Sequence, residues 1–505
     1  MTPKEILLKE PFKRINPDVL GSSWNIYGDD GSLRSVAPSN ATYQIVTQDD
    51  FLREYDPSGH KIWDKRYYMD RLKTDDQKRT YIHYVERNAF AFQSVITTKR
   101  LTHLWGNPIR FINSSPNPTE AQDFLMRDFK QGWAKKNMEE GLFACGKSEA
   151  ITGDAAMCFY LKDGAVGYKT FSYQNGEVLY PHYDRFTGKL NLFGRQYKSY
   201  GSDGVTVVNE YLDVWDERNI TTYQRTNNFV TKVKEAIGFD GWTLVGEPKS
   251  HGFQRIPVAY KRNAVGACWS LAQDSIDKYE LAVSNLSENN KAYAFRILFL
   301  KGEQINAVAG GDGGVGLITG DKDSEAKFLE RADASSSFEL QLKILRQNIF
   351  TNSFSVEPPE VKGGDLPGVT IKLLYSPAVE KALEDAKFWN YFIDDCVELF
   401  KYGYGIETEK TAQYEAFDVR GDIEVYVHQN IAEQTTILSQ SVLAGIMSVQ
   451  TASERHPMGA NNEFEKIRKE AKEKSDMEAE VKANENADNI AKEVVAGGDI
   501  TSEQV

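Results

Sequence analysis

The stretch from Phe338 to Phe400 limits what this chain can fold into more than any other part of it. At Phe338, Leu342, Leu345 and Ile349 the apolar residues recur at steps of four, three and four, which stripes one face of a helix. Between Val356 and Val369, three prolines and three glycines fall within fourteen residues. That composition denies the run regular structure while keeping it partly stiff. After the apolar run Thr370 to Tyr375, Ser376-Pro377 reads as the cap and first residue of a second helix. Its stripe is Val379, Leu383, Ala386, Trp389, Ile393, Val397 and Phe400. Two helices thus hold out a loop, as a scaffold presents a tool.

The 505 residues suffice for about three domain-sized units. A hydrophobic content of 41% permits real cores. The net charge is −13, with 60 basic against 73 acidic residues. This argues against a protein that grips nucleic acid by neutralising phosphates. It is compatible with one past which DNA slides, because like-sign walls discourage sticking. Cys145, Cys158, Cys268 and Cys396 show no metal-ligand spacing and read as thiols in a reducing compartment. The N-terminus lacks a signal-peptide core, and no run approaches the roughly 18 apolar residues of a membrane span. The expectation is a soluble chain, made in the cytosol.

Residues 1 to about 60 are polar and turn-rich and read as an arm or loosely packed lead-in. From Trp63 to Lys73 and Gln77 to Gly106, mixed aromatics and charge read as helix, ending in an extended piece to Phe111. Thr119 is the expected cap of a helix bearing Phe124, Phe129 and Trp133 and running toward Leu142 and Phe143. From Gly153 the period becomes two, with strands at 156–160, 167–171, 190–194, 205–213, 219–223 and 256–260. So many short strands after helices call for a large α+β unit. Ser270 to about Ala294 reads as helix, with Leu271, Ile276, Tyr279, Val283 and Leu286 inward. A β-rich module of strands at 295–300, 317–319 and 325–329 then precedes the helix at Phe338, so it sits at the tip of a helical stalk. Phe417 to Val427 reads as strand, Gln434 to Gln450 as helix, and 463–482 as a solvated Glu/Lys helix.

Gly141 to Ser148 matches the phosphate-binding pattern GxxxxGK[ST], but polar helical residues precede it where a buried strand is needed. A packed helix is the better reading. Gly311 to Gly316 fits GxGxxG, yet no helix follows to offer its N-terminus to a pyrophosphate, so a hairpin turn is expected. The seven histidines form no HExxH or His/Cys cluster. Nothing points to an enzyme, a cofactor or a metal. Lys362, on a loop whose glycines allow close backbone approach, is a candidate phosphate contact.

Five segments in order carry a family resemblance. They are Asn88–Phe111 with Leu104-Trp-Gly-Asn-Pro-Ile109, Ala150-Ile-Thr-Gly-Asp-Ala-Ala156, and His251–Asn263. The others are Gly363–Tyr375 and Leu443-Ala-Gly-Ile-Met-Ser-Val-Gln-Thr451. Over residues 80 to 470 the chain resembles the portal proteins of tailed bacteriophages. The resemblance implies an α+β portal fold, with a mixed α/β wing, helical stem, small β-rich clip, tunnel loop and α-helical crown. On that mapping 60–262 and 371–433 would be the wing, 263–294 and 338–353 the stem, 295–337 the clip, 354–370 the tunnel loop, and 434–505 the crown and C-terminal tail; the N-terminal arm 1–59 and the Glu/Lys tail have no counterpart in the family.

The resemblance further implies a homo-oligomer of twelve subunits at one capsid vertex, assembled in the host cytoplasm, through which double-stranded DNA is packaged and ejected. Lys362, Gly363, Gly364, Asp365, Leu366, Pro367 and Gly368 would touch DNA. The clip, with Gly310, Gly311, Asp312, Gly313, Gly314 and Phe328, would dock the terminase large subunit and then the head-tail adaptor. The wing would meet major capsid and scaffold proteins, and no membrane is involved. The rival readings are another ring-forming virion protein of the tail or baseplate, and a nucleotide hydrolase built on Gly141 to Ser148.

Overall fold

A computed structural model describes residues 13–15, 24–27, 33–36, 45–74, 78–115, 119–184, 186–204, 206–226, 241–292, 298–301, 305–307, 318–320, 325–328, 335–357, 368–427, 431–456 and 463–477. The chain divides into two compact units. The first comprises Met1–Glu360 and Tyr375–Tyr426, the second Val361–Leu374 and Val427–Val505.

The first unit opens with strands β1 (Lys13–Ile15), β2 (Trp24–Tyr27), β3 (Leu33–Val36) and β4 (Ile45–Thr47), in which β1 pairs with β4 and β2 with β3. Helix α1 (Gln48–Tyr55) follows, with Phe51 buried beside Ile96, Ile151, Trp269, Ile276 and Ile349. The last residues of the expected loose lead-in are therefore part of a core.

Strands β5 (Arg71–Thr74) and β6 (Thr80–His83) form a hairpin where helix was expected, and helix α2 covers only Phe92–Trp105. The β-branched and aromatic run Thr80-Tyr-Ile-His outweighs the helical spacing of its neighbours. Lys78, in the connection, takes a left-handed φ of +61°. Strand β7 (Arg110–Asn113) leads to α3 (Glu120–Lys135), capped as expected: Thr119 accepts from the Gln122 amide while the Gln122 side chain returns to the Thr119 amide. Helix α4 (Met138–Thr152) ends at Gly153, whose φ of +85° suits glycine, and the chain turns into β8 (Asp154–Lys162).

Strands β9 (Ala165–Phe171), β10 (Val178–Tyr183), β11 (Leu190–Tyr200), β12 (Val207–Trp215), β13 (Asn219–Thr226), β14 (Thr243–Leu244), β15 (Lys249–Ser250) and β16 (Val258–Arg262) complete two antiparallel sheets. One has the order β16-β8-β9, the other β10-β11-β12-β13-β14, with β15 also on β13. Strand β10, broken by Pro181 and His182, was not legible; it forms the edge, where a missing amide donor is tolerated.

Helix α5 (Gln273–Ala292) packs against α6 (Ser335–Asn352). Between them lie β17 (Leu298–Lys301), β18 (Ile305–Ala307), β19 (Ile318–Gly320) and β20 (Glu325–Phe328), with β17 pairing β20 and β18 pairing β19. This is the β-rich module expected between two helices.

Helix α7 runs unbroken from Gly368 to Glu407, so Ser376-Pro377 is interior rather than its start. An interior proline forfeits one helical hydrogen bond and costs about 3 kcal/mol. The turns that follow bury Ala378, Ala382, Ala386, Trp389, Ile393, Val397 and Phe400, which offsets that cost. Leu383, expected inward, is exposed, as are Leu271, Phe124 and Phe143. The largest core gathers Phe129, Trp133, Leu142, Met157, Trp389 and Phe400 from α3, α4, β8 and α7. Helix α8 (Thr411–Glu415) and strand β21 (Val419–Asp422), paired with β7, close the unit.

In the second unit, α9 (Ile431–Leu443) and α10 (Val449–Arg455) replace the single helix expected over 434–450. Gly445 takes a φ of +69° after α9, and Ser448 caps α10 by accepting from the Thr451 amide. Ile437, Leu443 and Ile446 are exposed. A solvated helix covers 463–477.

Candidate functional site

The predicted loop leaves α6 through a tightly bonded turn. The Phe354 amide donates to the Thr351 carbonyl at 3.1 Å and the Ser355 amide to the Phe350 carbonyl at 2.9 Å. These bonds form a Schellman helix end, with Phe354 in the left-handed position usually held by glycine, at a φ of +53°. A bulky residue there is strained by about 1–2 kcal/mol. Its ring lies 5.9 Å from the Lys381 ammonium. Val356 is buried, and its carbonyl accepts from the Lys99 ammonium. Lys99 also sits 5.3 Å over the Phe350 ring, and its burial lowers its pKa. Arg346 Nε lies 2.5 Å from the Glu357 carboxylate. The chain is thus fastened up to the last residue before 358–367.

Behind this root, the Arg100 guanidinium joins two elements. It lies 2.9 Å from Glu149 of α4 and 2.8 Å from Asp385 of α7. Burial opposes its charge, but the two carboxylates outweigh that and push its pKa further up. Lys381 reaches Glu384 at 2.8 Å and Asp385 at 3.3 Å. The cavity beside them, lined by Lys99, Arg100, His103, Phe354 and Tyr375, holds about 80 Å³. Sites for nucleotide-sized ligands run to hundreds of Å³, so it is no nucleotide pocket.

Of the predicted DNA-contacting residues, Gly368 is the first residue of α7, while Lys362, Gly363, Gly364, Asp365, Leu366 and Pro367 lie outside the described residues. Of the predicted clip residues, Phe328 ends β20, while Gly310, Gly311, Asp312, Gly313 and Gly314 lie outside them, between the paired strands β18 and β19. Gly141 to Ser148 lies within α4 and offers no phosphate loop. A Cβ at Gly146 would run into the Trp105 indole and one at Gly141 into the Tyr168 ring, so these glycines serve helix packing. Among the described residues, no three His, Cys, Asp or Glu side chains are arranged to hold a metal. None of the described helices is long and apolar enough to cross a membrane.

The buried face of α5 was missed. Besides Ile276 it presents Asp277, Glu280, Ser284 and Glu288, all buried. Asp277 meets Lys61 at 2.7 Å, Glu280 meets His60 at 2.7 Å, and Glu288 meets His83. Ser284 accepts from the Asn88 amide at 2.9 Å, and Glu280 from the Phe90 amide at 2.8 Å. The signal was present as acidic residues at helical spacing, but it reads equally as a solvated face.

The family model described as "Phage portal protein, SPP1 Gp6-like" matches residues 59–477. No curated protein matches the chain in sequence. Among solved structures it is similar to a chain from the neck of an empty GTA particle computed with C6 symmetry. There the identity is 8% and the TM-score 0.39, over 71% of this chain and 88% of that one. The family match, which takes in both sheets, the α5–α6 pair and the whole of α7, decides the assignment: this chain belongs to the phage portal protein family, SPP1 Gp6-like, a structural component of the virion at the head-tail connector.

Proposed function

We propose that twelve copies of the chain form a ring at one capsid vertex, the channel through which double-stranded DNA is packaged and ejected. The observation that carries this is the family match over residues 59–477. The packing of α5 on α6 with nested hairpins between them supports reading 263–294 and 338–353 as stem and 295–337 as clip. The clip docks the terminase large subunit during packaging and the head-tail adaptor afterwards. Residues 60–262 and 371–433 are the wing, facing capsid and scaffold proteins, and 434–505 the crown.

The segment 354–370 is the tunnel loop, and the bonds from Lys99 and Arg346 support a loop with a fixed root. Lys362 is its sole basic residue, so contact with DNA is brief and independent of sequence. A net charge of −13 per copy keeps the passage from trapping its cargo. The protein's role is structural, and the energy for moving DNA comes from the docked motor.

Negative-stain images of the purified chain test the reading. A stalked ring of about a dozen subunits is expected. Monomers, or a flat ring without a stalk, overturn it.

A further inference from the structure

The β5–β6 hairpin forms a two-stranded sheet of its own among the described residues. An isolated hairpin is marginally stable in water, so it needs something to lie against. On its inner side His83 meets Glu288 of α5. On its outer side Leu72 and Ile82 stand directly opposite each other, 74% and 54% exposed. Met69 and Tyr84, 70% and 64% exposed, flank them. Residues 61–87 carry eight basic against five acidic residues, the opposite sign to the chain as a whole.

A second exposed face has the complementary character. Along α7, Glu384, Phe388, Tyr391, Asp395 and Glu398 recur at steps of four, three, four and three, the spacing of one helical face. Phe388 is 57% and Tyr391 75% exposed. Residues 380–398 hold six acidic against two basic residues. Asp395 and Glu398 share the single Arg255, which leaves an excess of negative charge at that end.

We propose that the β5–β6 hairpin of one copy docks on this face of α7 in the next copy. The occupant is a second copy because the two patches are complementary in charge and both carry unburied aromatic and aliphatic side chains. A two-fold dimer could pair hairpin with helix only reciprocally, with both contacts in one interface, whereas a single hairpin-on-helix contact per neighbour runs head to tail. Two unlike patches joined head to tail generate a ring if the rotation closes. The contact rests on the ring reading above and adds which surfaces close it.

Ile82→Cys combined with Tyr391→Cys tests the contact directly. Cys145, Cys158 and Cys396 are buried, so background crosslinking comes from Cys268 alone among the native thiols. Oxidation of the double variant is expected to give a ladder of covalent multimers on a denaturing gel, and neither single variant gives one. Rings without a ladder, or a dimer from Ile82→Cys alone, overturn the contact and leave the ring reading standing. Absence of rings in the unaltered protein overturns both. Lys65→Glu, beside Tyr84 on the outer side, with Lys78→Glu in the hairpin's connection should abolish rings, and adding Glu384→Lys with Glu398→Lys should restore them. Rings that survive the first pair of reversals overturn the contact, and restoration shows that the first pair had not simply unfolded the chain.

Discussion

The imidazole of His60 lies 2.7 Å from the carboxylate of Glu280, and both side chains are about 1% exposed. The other ring nitrogen lies 2.8 Å from the Glu54 carbonyl, which can only accept, so Nε2 carries a proton. Oε1 of Glu280 also accepts from the Phe90 amide at 2.8 Å, which favours its charged form and with it a proton on Nδ1. The pair is an imidazolium and a carboxylate. Burial by itself would lower the pKa of His60, but the bond to Glu280 and its charge outweigh it, and the shift is upward.

Because the folded pKa of His60 is raised, the stability it contributes is complete below its ordinary pKa of 6.5 and is lost as pH rises through the folded value. His60→Leu leaves Glu280 buried without its partner, at a cost of about 3–5 kcal/mol. Melting temperatures of both proteins from pH 6 to pH 10 check this. The gap should be widest at pH 6 and narrow as pH rises; a constant gap would show that His60 is not charged.

Glu54 should behave as an acid that prefers its proton. Burial pushes its pKa up to about 7 from 4.5, against the hydrogen bond from Trp269. The folded chain therefore holds a proton between those values that the unfolded chain releases, and stability falls as pH rises through that window. The full effect is roughly 3 kcal/mol. Glu54→Gln keeps an acceptor for the Trp269 indole, so the variant should melt above the parent at pH 8 and not at pH 4.5.

The residues resembling a phosphate loop should matter for packing alone. Gly146→Ala forces a methyl group against Trp105 and is expected to cost about 1–3 kcal/mol. Lys147, exposed on α4, should tolerate alanine within about 0.5 kcal/mol. Chemical denaturation measures both, and a titration with ATP should show no binding to the parent or to Lys147→Ala.

For the loop, replacing Gly363, Gly364 and Gly368 together with alanine should impair DNA packaging while rings still assemble. Normally filled heads would remove the glycines from the account. Lys362→Ala should weaken DNA contact more at low salt than at high salt, since an exposed charge is screened over about 10 Å at 0.1 M. Binding assays at two ionic strengths decide it.

Much of the framework was legible because its signals are local. Thr119 and Gln122 lie three residues apart, Gly153 sits where the period changes, and β19 follows a glycine-rich run. What was missed depends on partners far away in sequence. Asp277 and Glu280 look solvent-seeking until Lys61 and His60, more than two hundred residues earlier, are brought against them. Ser376-Pro377 carries a strong start signal that packing around Ala382 and Trp389 overrides. For the candidate site, composition marks 356–369 as an expected loop, of which 358–367 lie outside the described residues, and the root at Lys99 and Val356 spans 257 positions and leaves no local trace.

A helix seated on hydrocarbon can slip by a residue and still find grease beneath it. Helix α5 has no such tolerance along Asp277, Glu280, Ser284 and Glu288, since these side chains are matched to Lys61, to His60 and the Phe90 amide, to the Asn88 amide and to His83. A shift of a single position would strand all four at once. The helix is therefore indexed rather than merely held, and the hairpins between it and α6 inherit a defined starting point.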